Sequence, residues 1–366
     1  MTAVRASQRP PTNTRNESVA LIVGGVAGIV GMISAFAFLQ ISQLALFGQG
    51  SVGYLAAWTC TVVGIPAFAF GYVRAARLDP ARRAWHREHP IRASINTAAL
   101  TLTGAFVTYL LAAGLFYVFQ AAFRGMLVQR SSGFVIVAVT AAVAGYMLFT
   151  IASNVTTETV STLLTLFLFT GVLGSMLTAQ DPRWWQVNFS FLGSGYGDPL
   201  SAMAFNVTIT LSGVVLTTMA DYLTRDLYEI IALSNIERPA RRVNVIRILI
   251  MVIGVAFMFV GLFPVDKLLI LHNIGAQGLF IGFGLLVILV PILTKVFSRG
   301  FQITSFVFAG LTLWAVLLFQ PFGYYNLTGL EIMAIALVFV WLILFVRTTA
   351  ALKQDVRLEE AQELGL

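Results

Sequence analysis

The chain has 366 residues, of which 58% are hydrophobic and 11% charged, and it carries a net charge of +7. A soluble domain holds roughly a quarter charged residues, so this composition excludes one and indicates an integral membrane protein. The single cysteine, Cys60, lies inside an apolar run, which excludes a disulfide framework and a cysteine-ligated metal site.

In chain order, residues 1–17 read as a polar, basic, disordered tail. Ten apolar runs follow at 18–46, 53–73, 94–121, 133–153, 158–178, 199–223, 244–263, 274–294, 301–319 and 328–348. Each reaches the roughly 20 residues that an α-helix needs to cross a bilayer. The run after the tail is too long for a signal peptide and lacks a small-residue cleavage site, so it counts as the first span. The predicted fold is an all-α polytopic bundle with both termini on one side. The longest connections, 74–93, 179–198 and 224–243, are too short for a soluble domain.

Lys and Arg distribution orients these spans. Of 23 such residues, 19 fall on the side of the termini, among them Arg5, Arg9, Arg15, the cluster Arg74, Arg77, Arg82, Arg83, Arg87 and Arg92, then Arg238, Arg242 and Arg247. Only Arg124, Arg130, Arg183 and Lys267 fall on the other. The termini are therefore expected in the cytoplasm. The positive charge reports topology and anionic lipid, and no nucleic-acid partner is expected.

The loop joining spans five and six reads WWQVNFSFLGSGYGDPL, and this topology puts it outside the cytoplasm. Trp184 and Trp185 suit the water–lipid boundary. Gly193, Gly195 and Gly197 suit a tightly folded loop. Asp198 before Pro199 reads as the N-cap of span six. Pro66 and Pro291 are expected to interrupt spans two and eight, whereas Gly24 and Gly28, and Gly278 and Gly282, have the spacing of close helix contacts.

From this loop onward a set of short motifs occurs in order: NFSFLG at 188–193, AFN at 204–206, SGVVL at 212–216, GLFPVD at 261–266, His272 with Ala276 one turn on, and Glu331 with Trp341. Over 158–348 the chain resembles the six-helix DUF998 family of bacterial membrane proteins, related to the eukaryotic Frag1/DRAM/Sfk1 group. Family members carry Ser-x-Ser-(Asp/Glu)-Leu-Gly at the first motif; here Asn188 replaces the first serine and Phe191 the acidic residue. The resemblance implies a six-helix core at 158–348, preceded by a four-helix extension at 18–157 and followed by a tail at 349–366. The biochemical role of that family is largely unassigned, and the distant eukaryotic group is linked with membrane and lipid homeostasis, so the resemblance points to a non-enzymatic role of that kind. It adds the expectation of a bacterial plasma membrane.

Asn188, Ser190, Asn206, Asp266, His272 and Glu331 share one depth near the outer helix ends. Polar groups at membrane depth must pair or line a wet cavity, so these six are the candidate ligand-binding residues of one outward-facing pocket. His272 beside Asp266 or Glu331 would suit a cationic or hydroxylated head group. The same side chains could instead tie helix ends together. Asp221 is expected to pair with Arg225 one turn on.

Membrane lipids and a small amphiphile are the expected partners. No catalytic residue, cofactor or metal is expected, since His86 and His89 lie on the opposite side from His272. Two other classes remain. One is a secondary transporter built from five plus five helices. The other is a lipid hydrolase using Ser190, His272 and Asp266. The acidic tail KQDVRLEEAQELGL reads as a solvated helix end.

Overall fold

The computed structural model describes residues 12–196, 198–233 and 239–363. The tail 1–11 with Arg5 and Arg9, the loop glycine Gly197, the basic residue Arg238 and residues 364–366 lie outside the described residues. Ten of the described helices are long and apolar enough to cross a membrane, and in lipid only a helix satisfies every backbone group within its own segment. The protein is an all-α, multi-pass membrane bundle. It divides into two compact units, Met1–Val155 and Thr156–Leu366.

The first unit holds four spanning helices: α1 (Thr12–Phe38), α2 (Val52–Leu78), α4 (Pro90–Ala122) and α5 (Arg130–Ser153), with a short α3 (Pro80–Glu88) between α2 and α4. Helices α1 and α2 both pack along α5, and α4 packs on α2. The α1 seam is built from small residues; an added Cβ at Gly31 would lie 2.9 Å from Ala138. The opposite stripe of α1, with Leu21, Ile22, Ile29 and Phe36, is exposed, as a lipid-facing surface should be.

Three boundaries differ from expectation in this unit. Helix α1 starts at Thr12, inside the segment read as tail, and stops at Phe38, not 46. Residues 43–44 instead pair antiparallel with 128–129, and Gln120 Oε1 accepts from Leu46 N at 2.8 Å. Those bonds satisfy backbone groups that would otherwise demand a helix. The arginine-rich turn contains α3, which Asp79 caps by accepting from Ala81 N at 2.9 Å ahead of Pro80. Helix α2 runs through Pro66 without interruption.

The second unit holds six spanning helices: α6 (Thr157–Thr178), α7 (Pro199–Leu233), α8 (Pro239–Leu262), α9 (Leu269–Thr294), α10 (Arg299–Phe319) and α11 (Leu327–Glu363). Each packs on the next, and α11 returns against α6 and α7 to close the bundle. At the α7–α8 crossing an added Cβ on Gly213 would sit 2.4 Å from Gly254 O, so only glycine allows this approach. Trp341 is fully buried among Phe283, Phe301 and Phe345, and its Nε1–H donates to Ser305 Oγ at 3.1 Å.

Here the helices outrun the apolar stretches. Helix α9 begins at Leu269 and passes through Pro291; α7 continues past 223 and α11 past 348. The extensions carry paired charges. Lys353 Nζ lies 2.5 Å from Asp226 and 2.9 Å from Glu229, and Arg357 lies 2.8 Å from Glu229. The stretch expected to be a solvated helix end is thus fastened to α7. Asp221 bonds Arg247 of α8 at 2.6 Å, a link across helices beyond the one-turn pairing with Arg225 expected from the sequence.

Candidate functional site

Between α6 and α7 the chain does not cross directly. It makes two short 3-10 turns, Trp184–Gln186 and Phe189–Gly193, and lies across the end of the bundle where α7, α9 and α11 begin. Phe189 and Leu192 of the second turn are buried, and Phe189 packs edge-on against Phe205 of α7 with ring centroids 5.4 Å apart. Gly193 is there for its size. Neither Gly193 nor Gly195 has a positive φ, contrary to the turn-forming role expected of them, but a Cβ on Gly193 would fall 2.4 Å from Asn206 Oδ1.

Most of the candidate residues act on this segment. Glu331, at the start of the second turn of α11, accepts from Phe189 N at 2.5 Å and from Ser190 Oγ at 3.1 Å. Asn206 Nδ2 donates to Gly193 O at 2.8 Å. Asp266 Oδ2 accepts from Gly195 N at 3.0 Å. Asp198 caps α7 through Leu200 N at 2.7 Å and Ser201 N at 3.2 Å, as expected, and also accepts from Gln180 Nε2 at 2.7 Å.

His272 is the exception. It is buried, and since a carbonyl can only accept, its Nδ1–H donates to Phe263 O at 2.9 Å, tying α9 to the end of α8. Among the described residues it makes no hydrogen bond or ion pair with Asp266 or Glu331. The Ser190, His272 and Asp266 arrangement is likewise not formed, because each of the three bonds a different group.

Two residues absent from the sequence reading complete the attachment. Asn326 Nδ2 and Thr328 Oγ1 both donate to Trp185 O, at 2.6 Å and 2.7 Å, and Asn326 Oδ1 caps α11 through Gly329 N at 3.1 Å. Asn three residues before Gly at the foot of an apolar run is an N-cap signal, but the span was begun at 328, leaving Asn326 in the loop.

Beneath the segment is a cavity of about 50 Å3, lined by Ser190, Glu331, Phe189, Phe205, Ala276 and Ile335 among others. It admits a few waters or a group the size of an ammonium or hydroxymethyl, far below the several hundred Å3 of a pocket for a whole amphiphile. Phe189 and Ile335 also line an apolar cleft of about 370 Å3 between α6 and α11. That cleft runs from Ile332 to Ile343, about 17 Å at 1.5 Å per residue, which is roughly half the hydrocarbon thickness of a bilayer.

The chemistry around the cavity is short of donors. Neither Glu331 nor Asp266 has an ion-pair partner among the described residues. Asn188 Oδ1, Asn206 Oδ1 and Asp266 Oδ1 are buried and have no hydrogen-bond partner among the described residues. Among the described residues no three His, Cys, Asp or Glu side chains group as metal ligands. No family model, curated protein or solved structure matches the chain.

Proposed function

We propose that the six-helix unit recognises a membrane amphiphile, non-enzymatically, a reading compatible with the DUF998 resemblance. The amphiphile's acyl chain lies in the α6–α11 cleft and its amine or hydroxyl head reaches Glu331. One observation carries this reading. The Glu331 carboxylate, met by an N–H and an O–H but by no cation, lines a cavity that shares Phe189 and Ile335 with a cleft one leaflet deep. A charge with no neutralising partner at membrane depth favours a ligand that supplies one. On the expected topology this end faces outward from a bacterial plasma membrane, so the ligand comes from the outer leaflet.

The transporter reading rested on a five-plus-five division and on broken helices. Units of four and six spans, and helices continuous through Pro66 and Pro291, take away its support. The hydrolase reading loses its hydrogen-bonded set of Ser190, His272 and Asp266.

Mass spectrometry of lipid retained by the full-length protein, purified from a membrane holding phosphatidylethanolamine and phosphatidylglycerol, tests the proposal. The wild type should enrich the amine lipid, and Glu331→Gln, which keeps the size and one acceptor oxygen but removes the charge, should lose that enrichment. Equal lipid composition in the two proteins would defeat it.

A further inference from the structure

The four-helix unit carries an open cleft of about 610 Å3 that none of the residues above touches. One wall is α2 around Val73, the other is α4 with Ser94, Thr97, Ala98 and Thr101, and His86 of α3 stands at its mouth. Along α4 it extends from Pro90 to Leu102, about 18 Å at 1.5 Å per residue, again one leaflet's share of the hydrocarbon core.

The two ends of the cleft differ. The deep end is apolar except for Thr101, whose side chain is 5% exposed and whose Oγ1 has no partner among the described residues. The other end is polar, with His86 in its lining, and adjoins a basic segment of the chain. His86 Nδ1–H donates to Arg82 O at 2.8 Å, which leaves Nε2 as a buried acceptor without a donor among the described residues. The surrounding segment 74–92 holds six arginines against only Asp79 and Glu88. Arg83 donates through its guanidinium to Arg77 O, whereas Arg87 is exposed and makes no ion pair among the described residues. Trp85 of the same helix stacks on His89 with ring centroids 5.5 Å apart, the kind of amphipathic surface that rests at a head-group layer.

We propose that this cleft is a binding site for an anionic phospholipid. Its acyl chain lies between α2 and α4, its phosphodiester among the α3 arginines, and a head-group hydroxyl donates to His86 Nε2. Phosphatidylglycerol satisfies all three contacts. A zwitterionic lipid brings the same phosphodiester but sets a cationic head beside the arginine cluster, and inorganic phosphate leaves the apolar cleft empty. The site owes nothing to Glu331 and stands or fails apart from the function proposed above.

The test uses full-length protein in nanodiscs of phosphatidylcholine, titrated with phosphatidylglycerol, with bound lipid counted by native mass spectrometry and the unfolding temperature followed in parallel. Phosphatidylglycerol should bind at least roughly tenfold more tightly than phosphatidylcholine. Each of Arg83→Gln and Arg87→Gln should weaken it about fivefold, as expected for one basic residue at an anionic surface. Ala98→Trp should block the cleft and abolish the preference, and Ala69→Phe, from the opposite wall, repeats that block should the first variant not fold. No preference over phosphatidylcholine would overturn the proposal. So would equal protection by inorganic phosphate, or a preference surviving both cleft-filling variants, since the arginines would then be acting as a bare charged surface.

Discussion

At one end of the six-helix unit Asp221, Asp226 and Glu229 each meet a Lys or Arg on a neighbouring helix. At the other, Glu331 and Asp266 accept from backbone N–H groups and a serine hydroxyl, and no cation approaches them among the described residues. Both arrangements hold helices together, but they leave different residues of charge. A carboxylate paired with a cation is neutralised within the protein, while one held by neutral donors stays fixed in place and keeps its charge for something else. That contrast is why the segment-bearing end, and not the more heavily charged one, is the candidate site.

Removing the carboxylate is the most damaging way to break the contrast. Glu331→Leu leaves Phe189 N–H and Ser190 O–H without an acceptor, at about 1–3 kcal/mol for each buried donor. The thermal unfolding midpoint in nanodiscs should fall clearly, and proteases should begin to cut within 184–198. Glu331→Gln, retaining an acceptor oxygen, should lose far less stability while losing ligand. Equal destabilisation by both variants would mean that the charge itself holds the fold.

The paired end predicts a different pattern. Asp221 is 7% exposed and bonds Arg247 at 2.6 Å, so Asp221→Leu alone strands a half-buried guanidinium and should cost about 3 kcal/mol. Combined with Arg247→Met, much of that loss should return, because a buried ion pair is often replaceable by apolar contact. A double variant as unstable as the single one would show that Asp221 serves more than this pair.

His272 sharpens the comparison from the segment-bearing end. If its role is only to tie α9 to Phe263 O, then His272→Ala should cost about 1–2 kcal/mol. His272→Asn, whose amide nitrogen can stand near the place of Nδ1, should recover part of it. Neither should change which lipid is retained. Altered lipid selectivity in His272→Asn would put the imidazole in the ligand's path.

Much of this architecture is readable in the sequence, because hydropathy alone sets the number of spans: a bilayer admits no other way to hide so many apolar residues. The helix ends are less readable for an identifiable reason. Helices α7 and α11 outlast their apolar runs by a turn or more because Asp226 and Glu229 on one find Lys353 and Arg357 on the other, pairings between residues more than a hundred positions apart. The site shares this limit. Ser190, Asn206, Asp266 and Glu331 stand out as polar groups at one level, but Ser190 and Glu331 are 141 positions apart, and nothing local says that they touch. His272 stands out equally and belongs to a different joint. Glu331 itself looks like an ordinary acidic residue near a helix start until Phe189 is seen to donate to it.

The smallest effect is also the most direct probe of the two ends. Lys353 bridges Asp226 and Glu229 with 23% of its side chain exposed, so its pairs act in partly screened surroundings and Lys353→Ala should cost under about 1 kcal/mol. The cost should depend on salt. The Debye length shrinks from about 10 Å at 0.1 M to 3 Å at 1 M, so the gap in unfolding midpoint between wild type and Lys353→Ala should narrow as salt rises. The gap between wild type and Ser190→Ala should stay nearly constant, since that bond to Glu331 involves one charge and a neutral hydroxyl at short range. If both gaps close together with salt, the carboxylate of Glu331 is being neutralised by a mobile cation, and the difference between the two ends is one of exposure, not of chemistry.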